Sequence, residues 1–158
     1  MMLIFLLFLQ ILYILIIDEL RKNSPIKILS ILDVITEKCI REGYRRVAVL
    51  GTKWTMSNPL YKNIFDRHKI QLIIPDEETQ DIIHKTIFEH LIPQVKIDLA
   101  EAVLTKLVKE IALSCDAIAL ACTELPMILN EKNCNIAVID TTRTLAYSAV
   151  LHIKSHTK

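Results

Sequence analysis

Residues 45–55 read Arg-Arg-Val-Ala-Val-Leu-Gly-Thr-Lys-Trp-Thr, and the apolar residues at their centre set the architecture. From Val47 to Leu50 there is no polar break, and Gly51 closes the run. Alternating polarity marks a strand with one wet face, whereas continuous apolarity marks a strand covered on both faces, as in a parallel sheet. The segment therefore reads as a buried strand.

Working outward, residues 70–74, 117–121 and 136–139 repeat the pattern, and helical text fills the intervals. One helix is predicted over 58–67, with Pro59 in its first turn. Another starts at Pro75-Asp76 and runs toward His90, its acidic residues Asp76, Glu77 and Glu78 suited to a helix N-terminus. Residues 98–113 form a third, Pro126 lies near the start of a short one, and 141–153 close the chain. Upstream, Ser24 reads as a cap before Pro25, with Ile28, Leu32, Ile35 and Cys39 at helical spacing until Gly43 ends the helix. Strands separated by helices imply βα units, so the expectation is an α/β domain: a parallel four-stranded sheet flanked by helices. The two glycines and the lack of any internal repeat predict short loops.

At 158 residues the chain has the size of one domain that can bury a core without metal or disulfide support. Net charge is +1 with the signs interspersed, and one Trp and four Tyr supply few stacking surfaces, which argues against nucleic acid as a partner. The cysteines Cys39, Cys115, Cys122 and Cys134 form no CxxC pair and lie at no zinc-type spacing from the histidines. They read as reduced thiols of a cytoplasmic protein, three of them as small buried hydrophobes. His84 and His90 lack a carboxylate or Cys at ligand spacing, so capping or solvated roles are expected and no metal site is. Trp54 either shapes a pocket wall or packs.

Ligands of an open parallel sheet bind beyond the carboxyl ends of the strands. Those ends carry Gly51-Thr52-Lys53-Trp54-Thr55, Cys122-Thr123-Glu124 and Asp140-Thr141-Thr142. Each leads into a helix, where free N–H groups favour an anion. Any single Thr or Asp there reads first as an N-cap. Three such groups on one edge shift the reading toward a carboxylate or phosphate site, with Thr52, Thr55, Thr123 and Thr142 as donors. A thiol ahead of a helix N-terminus is expected to have a lowered pKa. Cys122 is thus a candidate nucleophile or general base, and spacing leaves both roles open.

Four segments, Val47 to Met56, Ile74 to Glu78, Ala-Cys-Thr-Glu-Leu-Pro at 121–126 and Ile-Asp-Thr-Thr-Arg at 139–143, resemble in order and spacing the signatures of the aspartate/glutamate racemase family. The resemblance runs from about residue 18 to 152. It implies a two-lobe α/β fold and cofactor-independent inversion at an amino-acid α-carbon, with no PLP or other cofactor. Two residues, usually both cysteines, face the substrate from opposite sides, one removing the α-proton while the other returns a proton. Cys122 matches the second-lobe cysteine. Gly51, Thr52, Thr55 and Thr123 match substrate-holding positions, Glu124 of the same motif is expected to bind substrate with them, and Asp140, Thr141 and Thr142 match the third motif and are expected to do likewise. Many aspartate-racemase-like members carry a His two residues after that motif's Arg; here the position is Leu145. The implied substrate is aspartate, glutamate or a related amino acid, and a homodimer is the implied assembly.

The resemblance covers a second lobe only. A family motif of the type Pro-Cys-Asn-Thr-Ala-His belongs shortly before residue 18, where this chain has the apolar run 1–17. As a helix the run reaches about 25 Å against a hydrocarbon core of about 30 Å, which makes it at best a weak membrane anchor. It also lacks the basic start and cleavage site of a signal peptide. One permitted set of codons for residues 7–14, read from its third base, gives Ile-Pro-Ala-Asn-Thr-Val-His. The expectation is therefore a frameshift remnant, with residues 18–158 as the racemase-like lobe. Catalysis by the chain alone is expected to be impaired. A non-catalytic carboxylate-binding module, membrane-tethered or free, is the alternative.

Overall fold

The computed structural model describes residues 6–8, 17–25 and 28–155. In chain order the elements are β1 (Leu6–Phe8), α1 (Ile17–Asn23), β2 (Ile28–Ser30), α2 (Ile31–Glu42), β3 (Arg46–Leu50), α3 (Lys53–Met56), α4 (Pro59–Arg67), β4 (Gln71–Ile73), α5 (Glu77–Thr86), a π-helical turn (Ile87–Leu91), α6 (Ile97–Ala112), β5 (Ala117–Leu120), a 3-10 turn (Leu125–Met127), α7 (Glu131–Cys134), β6 (Ala137–Asp140) and α8 (Thr141–Ser155).

Val47 to Leu50 are all buried, as an uninterrupted apolar strand must be. Around them forms the expected four-stranded sheet, in the order β4-β3-β5-β6 and parallel throughout. The two-residue pleat sorts the side chains into two cores. Val47, Val49, Ala117, Ala119 and Ile139 point to one face, where α2, α4 and α8 supply Ile35, Phe65 and Leu145. Ala48, Leu50, Ile118 and Leu120 point to the other, against Ile83, Leu104 and Val108 of α5 and α6. At the amino-terminal edge Asp116 accepts from the backbone N–H groups of Arg45 and Arg46 and from the Arg46 guanidinium, clamping β3 to β5.

The helix boundaries follow local chemistry. Asn58 caps α4 by accepting from Leu60 N–H at 3.0 Å, and Asp76 caps α5 by accepting from Thr79 N–H at 2.8 Å. That bond holds the Asp76 carboxyl below the usual carboxylate range. Gly43 ends α2 in the left-handed region at φ 77°, which a residue without Cβ adopts at little cost.

The start of α2 corrects one expectation. The helix begins at Ile31, capped by Ser30, whose hydroxyl accepts from Leu32 N–H at 3.2 Å, and not at Ser24. Ile28–Ser30 is instead a strand parallel to β1, with Leu6 opposite Ile28 and Phe8 opposite Ser30. Ile28 is four residues from Leu32, so a buried strand residue mimicked one more helical turn. β1 and β2 form a separate two-stranded sheet. The expectations for residues 1–17 otherwise lie outside the described residues, apart from Leu6–Phe8 and Ile17. Among the described residues no helix is long and apolar enough to cross a membrane.

Candidate active site

The register lines up Leu50, Leu120 and Asp140 in one row across β3, β5 and β6. The chain leaves the sheet from that row at Gly51, Ala121 and Thr141, so the three predicted groups share one edge. The order β4-β3-β5-β6 has its switch point between β3 and β5, where open sheets place their ligands.

At the β3 end the ladder continues one bond further, with Ala121 N–H donating to Leu50 C=O at 2.7 Å. Gly51 eases that approach, since a Cβ on it would lie 3.0 Å from the Ala121 carbonyl oxygen and 3.2 Å from the Thr55 side chain, close enough that a neighbour would have to give. Thr52 caps α3, and its hydroxyl sits 3.1 Å from that of the buried Thr55. His84 accepts from Lys53 N–H at 3.3 Å, so one predicted capping role is met from 31 residues away. The Lys53 ammonium pairs with Asp81 at 2.6 Å and Glu77 at 3.2 Å. Trp54 is 70% exposed and packs edge-on against His84 and Phe88 at centroid distances of 5.1 and 6.0 Å. It forms an outer aromatic cluster.

At the β5 end Cys122 is half-buried, while the other three cysteines are buried; all four are free thiols. The Cys122 thiol donates to Glu124 Oε2 at 2.9 Å, and the Thr123 hydroxyl donates to the same oxygen at 2.9 Å. Burial first, and the Glu124 carboxylate second, push the Cys122 thiol up to about 12. This reverses the expected lowering. The helix after Cys122 is a 3-10 turn of three residues, too short to align a useful dipole, and an anion faces the sulfur. The backbone amides of Thr123 and Glu124 act in the lowering direction but are outweighed.

At the β6 end Asp140 accepts from Arg143 N–H at 2.9 Å and so caps α8. Thr141 is 1% exposed and donates to Leu120 C=O at 2.8 Å, tying α8 to β5. Thr142 is half-buried in the first turn, and Leu145 lies in the core. Thus Gly51, Thr52, Thr55, Cys122, Thr123 and Glu124 gather at the switch point, and Asp140, Thr141 and Thr142 flank them on the outer strand. A cavity of about 430 Å³ opens beside β6, with Leu120, Asp140, Arg143 and Tyr147 in its wall along with Lys38 and Arg41 of α2. Its lining does not include Cys122, which is half-buried against the core that α5 and α6 cover. The Cys122–Glu124 pairing is the feature that spacing missed. An acid two residues past a thiol was its one visible sign.

A family model for Asp/Glu/hydantoin racemases matches residues 14–149. The chain belongs to that family. Among solved structures, an aspartate racemase homologue from Pyrococcus horikoshii OT3 is 22% identical with a TM-score of 0.84, the match covering 92% of this chain and 65% of that one. An aspartate racemase from Picrophilus torridus is 30% identical with a TM-score of 0.69, over 84% of this chain and 56% of that one. A glutamate racemase isoform from Bacillus anthracis is 15% identical with a TM-score of 0.61, over 89% and 54%. The first and third of these likenesses speak to the fold alone. This racemase-family chain spans no more than 65% of the length of any of the three.

Proposed function

We propose that this chain carries one half of a cofactor-independent amino-acid racemisation site acting on an aspartate- or glutamate-type substrate. Cys122 moves a proton on one face of the substrate Cα. The Gly51-Thr52 turn, Thr55 and Thr123 hold the carboxylate or ammonium group, and Asp140, Thr141 and Thr142 complete the edge. The observation that supports this best is the thiol at the switch point, one strand away from a hydroxyl-bearing turn that glycine lets come close. Residues 18–158 form the catalytic lobe. Four free thiols suit a reducing, cytoplasmic setting.

Inversion needs a second acid/base group on the opposite face, which the family resemblance assigns to the first lobe. Circular dichroism of L- and D-aspartate and glutamate incubated with the purified chain tests this. Little or no racemisation is expected from the chain alone, and partial recovery on mixing with a first lobe from a related enzyme. Full activity from the chain alone refutes the two-lobe requirement; no activity with any complement refutes the racemase reading. A second reading is a carboxylate-binding module without turnover, favoured by the burial that pushes the Cys122 thiol up and so disfavours the thiolate a base would need. Calorimetric binding of aspartate with no α-deuterium exchange would select it.

A further inference from the structure

Resting on that racemase reading, we infer that His84 is a positioning residue: from α5 it fixes the Gly51–Thr55 turn whose hydroxyls hold the substrate. Glu77, Gln80, Asp81, His84 and Phe88 recur at spacings of three and four, which puts them on one face of α5 and of the π-helical turn that continues it. That face grips α3 at both ends. At the start, His84 Nδ1 accepts from Lys53 N–H at 3.3 Å, and Asp81 and Glu77 bind the Lys53 ammonium. At the end, the C-cap Ser57 donates to Gln80 Oε1 at 3.1 Å, and the buried Gln80 donates in turn to Pro75 C=O at 2.8 Å. Thr52 precedes the first anchor and the buried Thr55 lies between the two, so their hydroxyls, 3.1 Å apart, stand where α5 holds the turn.

His84 differs from its neighbours on that face in what it holds. Asp81 and Glu77 grip the tip of a flexible four-carbon stem, which leaves the main chain below it loose. Gln80 acts beyond Thr55. His84 bonds the main chain itself, directly after Thr52, with no rotatable side chain in between. The imidazole is also fixed in its plane, edge-on to Trp54 at 5.1 Å between centroids and tilted against Phe88 at 4.7 Å. To accept from an amide, Nδ1 must be unprotonated, so the ring carries its proton on Nε2. No proton of the reaction passes through His84. It acts through the turn, and the aromatic cluster at the rim of the site acquires a purpose: Trp54 and Phe88 orient the ring that orients the threonines.

The test begins without substrate. ¹⁵N NMR of the full chain at pH 8 is expected to show His84 Nδ1 as an unprotonated acceptor and Nε2 as protonated; a proton on Nδ1 overturns the inference. His84→Asn keeps an acceptor oxygen close to the place of Nδ1, whereas His84→Leu removes it. Hydrogen exchange of the Lys53 amide is expected to quicken about fivefold in His84→Leu and to return toward the unaltered rate in His84→Asn. Aspartate titrations followed by the amide shifts of Gly51, Thr52 and Thr55 are expected to give an affinity about fivefold weaker in His84→Leu, recovered in His84→Asn. Equal affinity in all three chains overturns the inference, and so does an equal loss in both variants, which would mean that the ring only packs. Should His84→Leu fail to fold, the Nδ1 state and the His84→Asn affinity decide, the latter expected within about twofold of the unaltered chain. If the unaltered chain binds no aspartate, the racemase reading fails, and the Lys53 exchange rates alone decide whether His84 holds the turn.

Discussion

The ends of β3 and β5 lie side by side, yet they present different groups. At the β3 end the groups are hydroxyls and amides, uncharged at any physiological pH, and their placement is fixed by backbone: a glycine that permits close approach and a Thr52 cap. At the β5 end a thiol, a carboxylate and a hydroxyl share one hydrogen-bonding oxygen. The difference teaches that two neighbouring turns of like composition take their chemistry from different sources. Backbone geometry places the hydroxyls at one end, and side-chain environment sets the thiol's acidity at the other.

The largest expected effect falls on the proton-handling side alone. Cys122→Ala in a complemented enzyme should cut Cα deuterium exchange by roughly 10²–10⁴-fold while substrate binding measured by calorimetry persists. Loss of binding together with exchange would erase the division between the two ends. Gly51→Ala strikes the opposite side: its new Cβ meets the Ala121 carbonyl and Thr55, so urea unfolding should show a loss of about 1–3 kcal/mol. Thr141→Val leaves the buried Leu120 carbonyl without its hydroxyl donor, and the same measurement should register about 1 kcal/mol. The smallest effect at neutral pH is that of alkali. An unfolded Cys122 ionises near its ordinary 9.0 and the folded one near about 12, so the unfolded state loses its proton first. Cys39, pushed up to about 11 by burial, acts with the same sign. Melting temperature should therefore be flat through pH 8 and fall as pH rises from about 9 toward about 12, and a rise over that range would mean that the thiols are not held protonated by the fold.

Much of the sheet was legible because its signals are local. Val47 to Leu50 and Ala117 to Leu120 announce strands buried on both faces by unbroken apolarity, and Pro59, Asp76 and Gly43 mark helix ends through their own backbone and side-chain chemistry. β2 was illegible for the opposite reason: its hydrogen-bonding partner is β1, some twenty residues away, and its Ile28 is spaced from Leu32 as a helical residue would be. The four-residue helices α3 and α7 are too short to display a period at all. At the candidate site, the threonines and Cys122 stood out in the sequence because the carboxyl ends of strands are where open sheets bind ligands. The sign of the thiol's pKa shift was missed because it depends on a rotamer of Glu124 and on the length of the turn that follows.

The sequence by itself determined an α/β chain of the racemase family, with its strand order of appearance, its caps and the residues at the carboxyl edge, because those follow from short-range polarity, turn chemistry and motif spacing. Tertiary structure decided which ends meet at the switch point, that Ile28–Ser30 belongs to a second sheet, and that the Cys122 thiol is pushed up and not down. Each of these depends on distance between groups that the chain's order leaves unspecified, and an electrostatic interaction is only as strong as that distance and the burial around it allow.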